Sequence, residues 1–336
     1  MEKVHLKEIA RLTGTSPSTV SRVLNHCGGV DSLTRDRVFR AADALRFPGQ
    51  EGTGCDLYFI TPELPAFFWK ERLYPELLAA EQRFRCKYNV YTGLHDGSVL
   101  RYLEEAERLQ ARVVVAVCTP TSAERAALEA LAERALVILL SEYAEVKNAF
   151  YVGSDPERDG FLLGRFFAGQ GGGQPAALTC PDNENCRARV RGFRSGAGTD
   201  RITELPLPPF GKMFPARTAA LLHGLPGTGR YWLYSAAGLP DELALAVRKA
   251  GLVGKAVLLG HDLRRPDPQR NVLACVNQRI EEQARTALSL AAEYLARGLC
   301  PAEKRTIVPS EFLCAGSGCG ERTKTDLPPV PDGGPG

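Results

Sequence analysis

Several signatures are missing from this 336-residue chain, and each absence removes a class of function. No apolar run approaches the roughly 20 residues needed to cross a bilayer, so no membrane partner is expected. The N-terminus goes straight into the polar MEKVHLKEIA, without a secretion pattern, and a cytoplasmic protein is expected. A Gly-x-Ser-x-Gly elbow, a P-loop and a metal-ligand run are all absent, which argues against an enzyme and leaves no catalytic residue, cofactor or metal to assign. The ten cysteines have no zinc-site spacing; the closest pairs are Cys180 with Cys186 and Cys314 with Cys319. In a long cytosolic chain they are expected to be reduced and structural. Charge of one sign is scarce too, since the net value is only +3. Up to Gly49 there are eight Lys or Arg against five Asp or Glu, which leaves 34 against 34 in the remainder. The whole excess sits at the N-terminus, as in a small nucleic-acid-binding module on a neutral body.

That module is legible in LKEIARLTGTSPSTVSRVLN, Leu6 to Asn25. Wound at 3.6 residues per turn, Leu6, Ile9 and Ala10 share one face of a first helix, and Gly14 supplies a break. Ser16 suits an N-cap and Pro17 the first helical position, where its missing N–H costs nothing. Along this second helix Val20, Val23 and Leu24 point inward, leaving Ser18, Ser21, Arg22 and Asn25 on the opposite, polar face. Such a pair is a helix-turn-helix built for the DNA major groove. Arg22 offers a donor fork to guanine and Pro17 an apolar contact to a thymine methyl. Ser21, Asn25 and His26 suit phosphate contact, Ser18 specifies weakly, and Ser16 joins this DNA-binding set as the cap. A third helix is expected from an N-cap at Ser32 to about Leu45, burying Val38, Ala42 and Leu45.

The stretch VHLKEIARLTGTSPSTVSRVLN, followed by Thr34-Arg35-Asp36-Arg37-Val38, resembles the headpiece of lactose repressor (LacI/GalR) family transcription regulators. The resemblance covers roughly residues 4 to 47. It implies a repressor that binds a pseudopalindromic double-stranded operator as a homodimer, under control of a small molecule, usually a sugar. The next residues, Phe47 to Gly54, depart from the family: they are too short and too rich in glycine for its hinge helix.

From Asp56 apolar strands alternate with amphipathic helices, which predicts parallel sheets covered on both faces. Ten strands are expected, at 57–61, 88–92, 113–118, 137–140, 151–154, 176–180, 202–205, 231–235, 256–260 and 272–276. Representative helices fall at 73–84, 158–170 and 281–297. This order is similar to the type I periplasmic-binding-protein core of the same family. The expected fold class is a small all-α helix-turn-helix headpiece plus an α/β core of two doubly wound parallel-sheet lobes. Its domains are a headpiece at 1–48, a linker at 49–55, a two-lobed ligand-binding and dimerisation core at 56–315 and a disordered tail at 316–336.

In such folds ligands bind beyond the carboxyl ends of the strands. The resemblance assigns Arg189 to ligand hydroxyls, Asp262 to vicinal hydroxyls and Gln278 to a third polar contact. Phe67, Phe68 and Trp69 follow the first strand and suit either a sugar ring or interlobe packing. Glu142 stands where sugar-binding relatives carry Asp-Arg, and favours a hydroxyl-rich or cationic ligand. Phe193 is expected in the core, and His261 as a local structural variant. Ala236-Ala237-Gly238 replaces the family's Asn-Asp pair. That loss and the short linker admit a second reading, in which the core is a dimerisation or partner-docking scaffold without small-molecule sensing.

Overall fold

The structure is a computed structural model that describes residues 2–24, 30–31, 34, 37–38, 41, 56–62, 72–83, 86–91, 99–208, 213–225, 229–238, 241–263 and 265–315. The linker and tail assignments at 49–55 and 316–336, and the expected loss of the hinge helix, lie outside these residues.

The N-terminal pair forms as its residue pattern predicts: α1 spans Glu2–Thr13 and α2 spans Pro17–Leu24. Gly14 turns the chain at a φ of 63°, a region that only glycine enters without steric cost. Ser16 Oγ accepts from the Thr19 amide at 3.0 Å and so caps α2. Ile9, Ala10, Val20, Val23 and Val38 close a small core, with Leu6, Val30 and Ala41 packed against it. Residues 34, 37, 38 and 41 are helical, so a third helix is present. Asp31 Oδ1 accepts from the Thr34 amide at 2.9 Å, and the expected cap, Ser32, lies outside the described residues.

The chain divides into two compact units, Met1–Ser154 with Arg279–Val308, and Asp155–Gln278 with Pro309–Gly336. In the first, β1 (Leu57–Pro62), β2 (Cys86–Tyr91), β3 (Val113–Ala116), β4 (Leu136–Leu140), β5 (Phe150–Gly153) and β11 (Arg305–Ile307) form one sheet in the order β11-β5-β4-β3-β1-β2. Helices α3 (Tyr74–Arg83), α4 (Val99–Arg108), α5 (Ser122–Ala132) and α10 (Ile280–Arg297) belong to this unit. A hydrophobic cluster covers each face of the sheet. Strand β3, Val-Val-Val-Ala, is buried throughout, as a parallel strand covered on both faces must be. Helix α5 starts on a capping box in which Thr121 and Glu124 satisfy each other's amides.

The second unit repeats this plan. Strands β6 (Gln174–Thr179), β7 (Thr203–Pro206), β8 (Tyr231–Ser235), β9 (Ala256–His261), β10 (Val272–Asn277) and β12 (Glu311–Cys314) run in the order β12-β10-β9-β8-β6-β7. Helices α6 (Pro156–Ala168), α7 (Glu184–Ala197), α8 (Phe214–His223) and α9 (Asp241–Lys249) pack with it. All sheet pairings in both units are parallel except β10 with β12.

All ten expected strands are present, and β11 and β12 are additions. Helix α6 stops at a Gly169 cap, earlier than expected, and the run Gly171–Gly173 continues in positive φ. Five described cysteines are free, as expected, and burial pushes the Cys118 and Cys275 thiols up to about 12, away from reactive thiolate. Cys314 departs from the expectation and is disulfide-bonded.

Candidate DNA interface and strand-end site

In the headpiece Ser16, Pro17, Ser18 and Arg22 are exposed on α2 or its cap, and Ser21 is half-buried. The polar face is therefore presented to solvent opposite the Val20–Val23 seam. The Ser16 hydroxyl is shared with Ser18 Oγ at 2.7 Å and Thr19 Oγ1 at 2.8 Å, so it is occupied with building the cap. Asn25 and His26 lie outside the described residues.

The second site is built where the sheet order reverses. In the second unit that point falls between β6 and β8, beyond whose carboxyl ends a ligand crevice forms in doubly wound sheets. Helix α7 leaves β6 through an Asn183 cap that accepts from the Cys186 amide at 2.9 Å. Its packing on α6 is backbone against backbone. A Cβ on Gly160 would sit 1.9 Å from the Arg189 carbonyl oxygen, and one on Gly192 1.9 Å from that of Glu157. Glycine at those two points lets α7 approach α6 closely and sets the height of Arg189.

Arg189 is only 5% exposed. Its Nη1 donates to the Ala236 carbonyl at 2.7 Å, beyond the end of β8, and its Nη2 to Gln278 Oε1 at 2.7 Å. Gln278 Nε2 then donates to Asp262 Oδ1 at 2.6 Å. Three side chains far apart in sequence thus form one continuous hydrogen-bonded chain across the ends of β8, β9 and β10. Asp262 holds a φ of 73°, uncommon outside glycine and a conformation in which aspartate and asparagine are enriched. Its amide donates to the Val276 carbonyl at 2.9 Å, which fixes the turn.

Beneath lies a dry layer. His261 is fully buried; burial first, and Arg189 second, hold its pKa well below the usual 6.5, so the imidazole is neutral. Its Nε2 shares a hydrogen bond of 2.9 Å with the Tyr234 hydroxyl, and Tyr234 stacks on Phe193 with ring centroids 4.3 Å apart. Phe193 is core, and His261 supports the strand end from below.

Glu142 belongs to the first unit. It follows Ser141 at the end of β4, and its amide donates to the Leu140 carbonyl at 2.7 Å. Its carboxylate, with that of Glu124, adds to burial in raising the Cys118 thiol. Phe67, Phe68 and Trp69 lie outside the described residues. The Ala236 carbonyl is the participant that residue types do not reveal, because a backbone oxygen has no letter; the lost Asn-Asp pair at that position is the only trace.

Residues 5–48 match the family described as bacterial regulatory proteins, lacI family. The N-terminal headpiece is of the lacI type. The chain is similar over its length to a LacI-family transcriptional regulator from Silicibacter pomeroyi, at 22% identity and TM-score 0.57, covering 91% of this chain and 97% of that one. The lac repressor dimer bound to operator and the anti-inducer ONPF is similar at 14% identity and TM-score 0.60, covering 90% and 96%. A Caulobacter myo-inositol binding protein, solved with myo-inositol, is similar at 23% identity and TM-score 0.65, covering 79% of this chain and 95% of that one. At these identities the structures establish the fold, a lacI headpiece followed by a periplasmic-binding-type core. No curated protein sequence matches the chain. Among the described residues no helix is long and apolar enough to cross a membrane.

Proposed function

We propose that this regulator is a repressor that binds a pseudopalindromic operator as a homodimer, and that a hydroxyl-rich small molecule, a sugar or sugar derivative, sets its operator affinity. Arg22 and Pro17 read bases, Ser21, Asn25 and His26 hold phosphates, Ser16 caps the reading helix at the DNA, and Ser18 contributes weakly. Arg189, Asp262 and Gln278 contact the effector. Phe67, Phe68, Trp69 and Glu142 are assigned to it on sequence position alone. The regulator acts in the cytoplasm and has no catalytic role. Its domains are the headpiece at 1–48, the linker at 49–55, the core at 56–315 and the tail at 316–336.

The observation that carries this reading is the chain from Arg189 through Gln278 to Asp262 at the strand ends. A donor fork, an amide and a carboxylate in one row match a polyol, whose hydroxyls both donate and accept. Similar cores solved with myo-inositol or with an operator and an anti-inducer support both halves of the proposal. A ligand that prefers one of two core conformations shifts operator affinity by that difference alone.

Operator binding at fixed salt, with and without a sugar and inositol panel, tests it. One compound should shift affinity, and Asp262→Ala should abolish the shift without weakening operator binding. Arg22→Ala should cost about 1–3 kcal/mol on operator and little on random DNA. The second reading, a scaffold core, is favoured by the internal pairing of the row: Arg189 already donates to Ala236 and Gln278. Thermal shift separates the two, since a ligand at a hundredfold its Kd stabilises by about 2.7 kcal/mol, and a scaffold gives no shift with any compound.

A further inference from the structure

We infer that the outer face of α7 carries a second small-molecule site, which takes a phosphate monoester. At 100° per residue, Arg191 and Arg194 lie on the side of α7 opposite Arg189. Their side chains are 52% and 34% exposed, where Arg189 is buried. They line a pocket of about 690 Å³ together with Arg201, Ser195, Thr199 and Asp200. That volume is of small-ligand size, in a shallow depression that is largely open to solvent. Three guanidinium groups and one carboxylate line it; Glu157, Glu184 and Glu204 pair with Arg191 and Arg194, which leaves Arg201 as the lining cation that no carboxylate among the described residues pairs.

The arginines are held ready for a ligand. Arg191 is braced by Glu157 at 3.5 Å and Glu184 at 3.3 Å, and Arg194 by Glu204. A guanidinium has five donors, so these carboxylates fix the side chains and leave donors for the pocket. Arg201 reaches the same pocket because α7 ends at Gly198 with a φ of 64°, which turns the chain back beside the last helical turn. It is exposed and forms no ion pair among the described residues. Thr199 Oγ1 accepts from the Arg201 amide at 3.2 Å, which leaves its own proton for a ligand oxygen. Ser195 adds a second hydroxyl. Forked cations with hydroxyl donors match the oxygens of a phosphate. Asp200, an acceptor on the same rim, suits a hydroxyl on the remainder of the molecule. The pocket therefore fits a phosphorylated polyol better than bare phosphate.

The test does not depend on the effector site. Inorganic phosphate and glucose 6-phosphate are titrated into the full chain at constant ionic strength, following the arginine Nε–H signals by NMR. Saturable shifts are expected, with glucose 6-phosphate binding tighter than phosphate. Arg201→Ala should weaken both at least tenfold; its side chain is exposed and makes no bond among the described residues, so the fold is retained. Asp200→Asn should bring the two affinities together. Equal shifts with sodium chloride alone, or an Arg201→Ala affinity within twofold of the parent, would overturn the inference. Arms distinguish the source: preference for glucose 6-phosphate assigns an organic phosphate, and equal affinities in the parent assign the free anion.

Discussion

The two core units are topological twins that put the same places to different uses. In each, six strands follow the same order, and the fourth ends in a residue of positive φ whose amide donates to the carbonyl of the next strand. Ser141 bonds Val152 at 2.8 Å with a φ of 65°, and Asp262 bonds Val276 at 2.9 Å with a φ of 73°. Backbone geometry therefore recurs where side-chain chemistry does not. In the second unit that position carries a carboxylate joined to Gln278 and Arg189. In the first it carries a hydroxyl, and the polar contacts nearby serve the scaffold: the Tyr151 hydroxyl donates to the Ser141 and Ser154 carbonyls, while Arg305 lies over the Tyr143 and Tyr151 rings.

Among the described residues each unit also buries one arginine, and the two differ in the same sense. Arg72 is 2% exposed and gives both Nε and Nη2 to Glu281 at 2.8 Å, just ahead of α3 and at the start of α10. One turn on, Arg285 pairs with Glu76 at 2.9 Å in reversed polarity. That arginine ties two helices together. Arg189 instead reaches a backbone carbonyl and an amide at the sheet edge. A fold supplies strand ends as places, and residue chemistry decides which are structural and which face a ligand.

Breaking these arginines gives the largest expected effects. Arg72→Ala leaves Glu281 without its buried partner and should cost about 3–5 kcal/mol in urea unfolding. Arg189→Ala should cost less, about 3 kcal/mol, for the lost charged hydrogen bonds, and it should also remove the effector response. A loss of response with Arg72→Ala at a temperature where it remains folded would erase the division of roles.

Next in size is Gly160→Ala. The added Cβ would fall on the Arg189 carbonyl, and α7 must move or strain at about 1–3 kcal/mol. Unchanged stability would show that the backbone contact between α6 and α7 is slack.

Acid should weaken the second unit through His261. Above pH 6.5 the imidazole is neutral in folded and unfolded chains and contributes nothing. Below 6.5 the unfolded chain takes up a proton that the buried ring refuses, because its folded pKa is depressed. Stability then falls by up to about 1.4 kcal/mol per pH unit. Urea midpoints from pH 7 to 5 should lose part of their slope in His261→Gln, and an unaltered slope would assign the acid sensitivity elsewhere.

The smallest effect sharpens the comparison most. Ser141→Gly should stabilise by about 1 kcal/mol through relief of the positive φ. Asp262→Gly gains the same relief but loses its bond to Gln278, and should show no net gain. Equal responses at the two positions would mean that the Asp262 carboxylate contributes nothing at rest.

Much of this was legible in the residues. The helix pair, its cap at Ser16 and the ten strands that line the two cores announce themselves through periodicity, because burial on one helix face or on both sheet faces imposes a repeat. Strands β11 and β12 did not: they are three and four residues long and partly exposed, and pairing across the sheet makes them strands. The bond from the Thr34 amide to Asp31 was not legible either, because any short polar side chain there suits a cap.

Sequence by itself determined the headpiece, the doubly wound class and the residue types that mark Arg189, Asp262 and Gln278, since local spacing and composition act over a few turns of chain. Only the tertiary structure decided that those three side chains join in one row, that the Ala236 carbonyl takes part and that His261 stays dry beneath them. Those contacts span as many as 89 positions, and parallel strand order, which no local pattern encodes, brings them together.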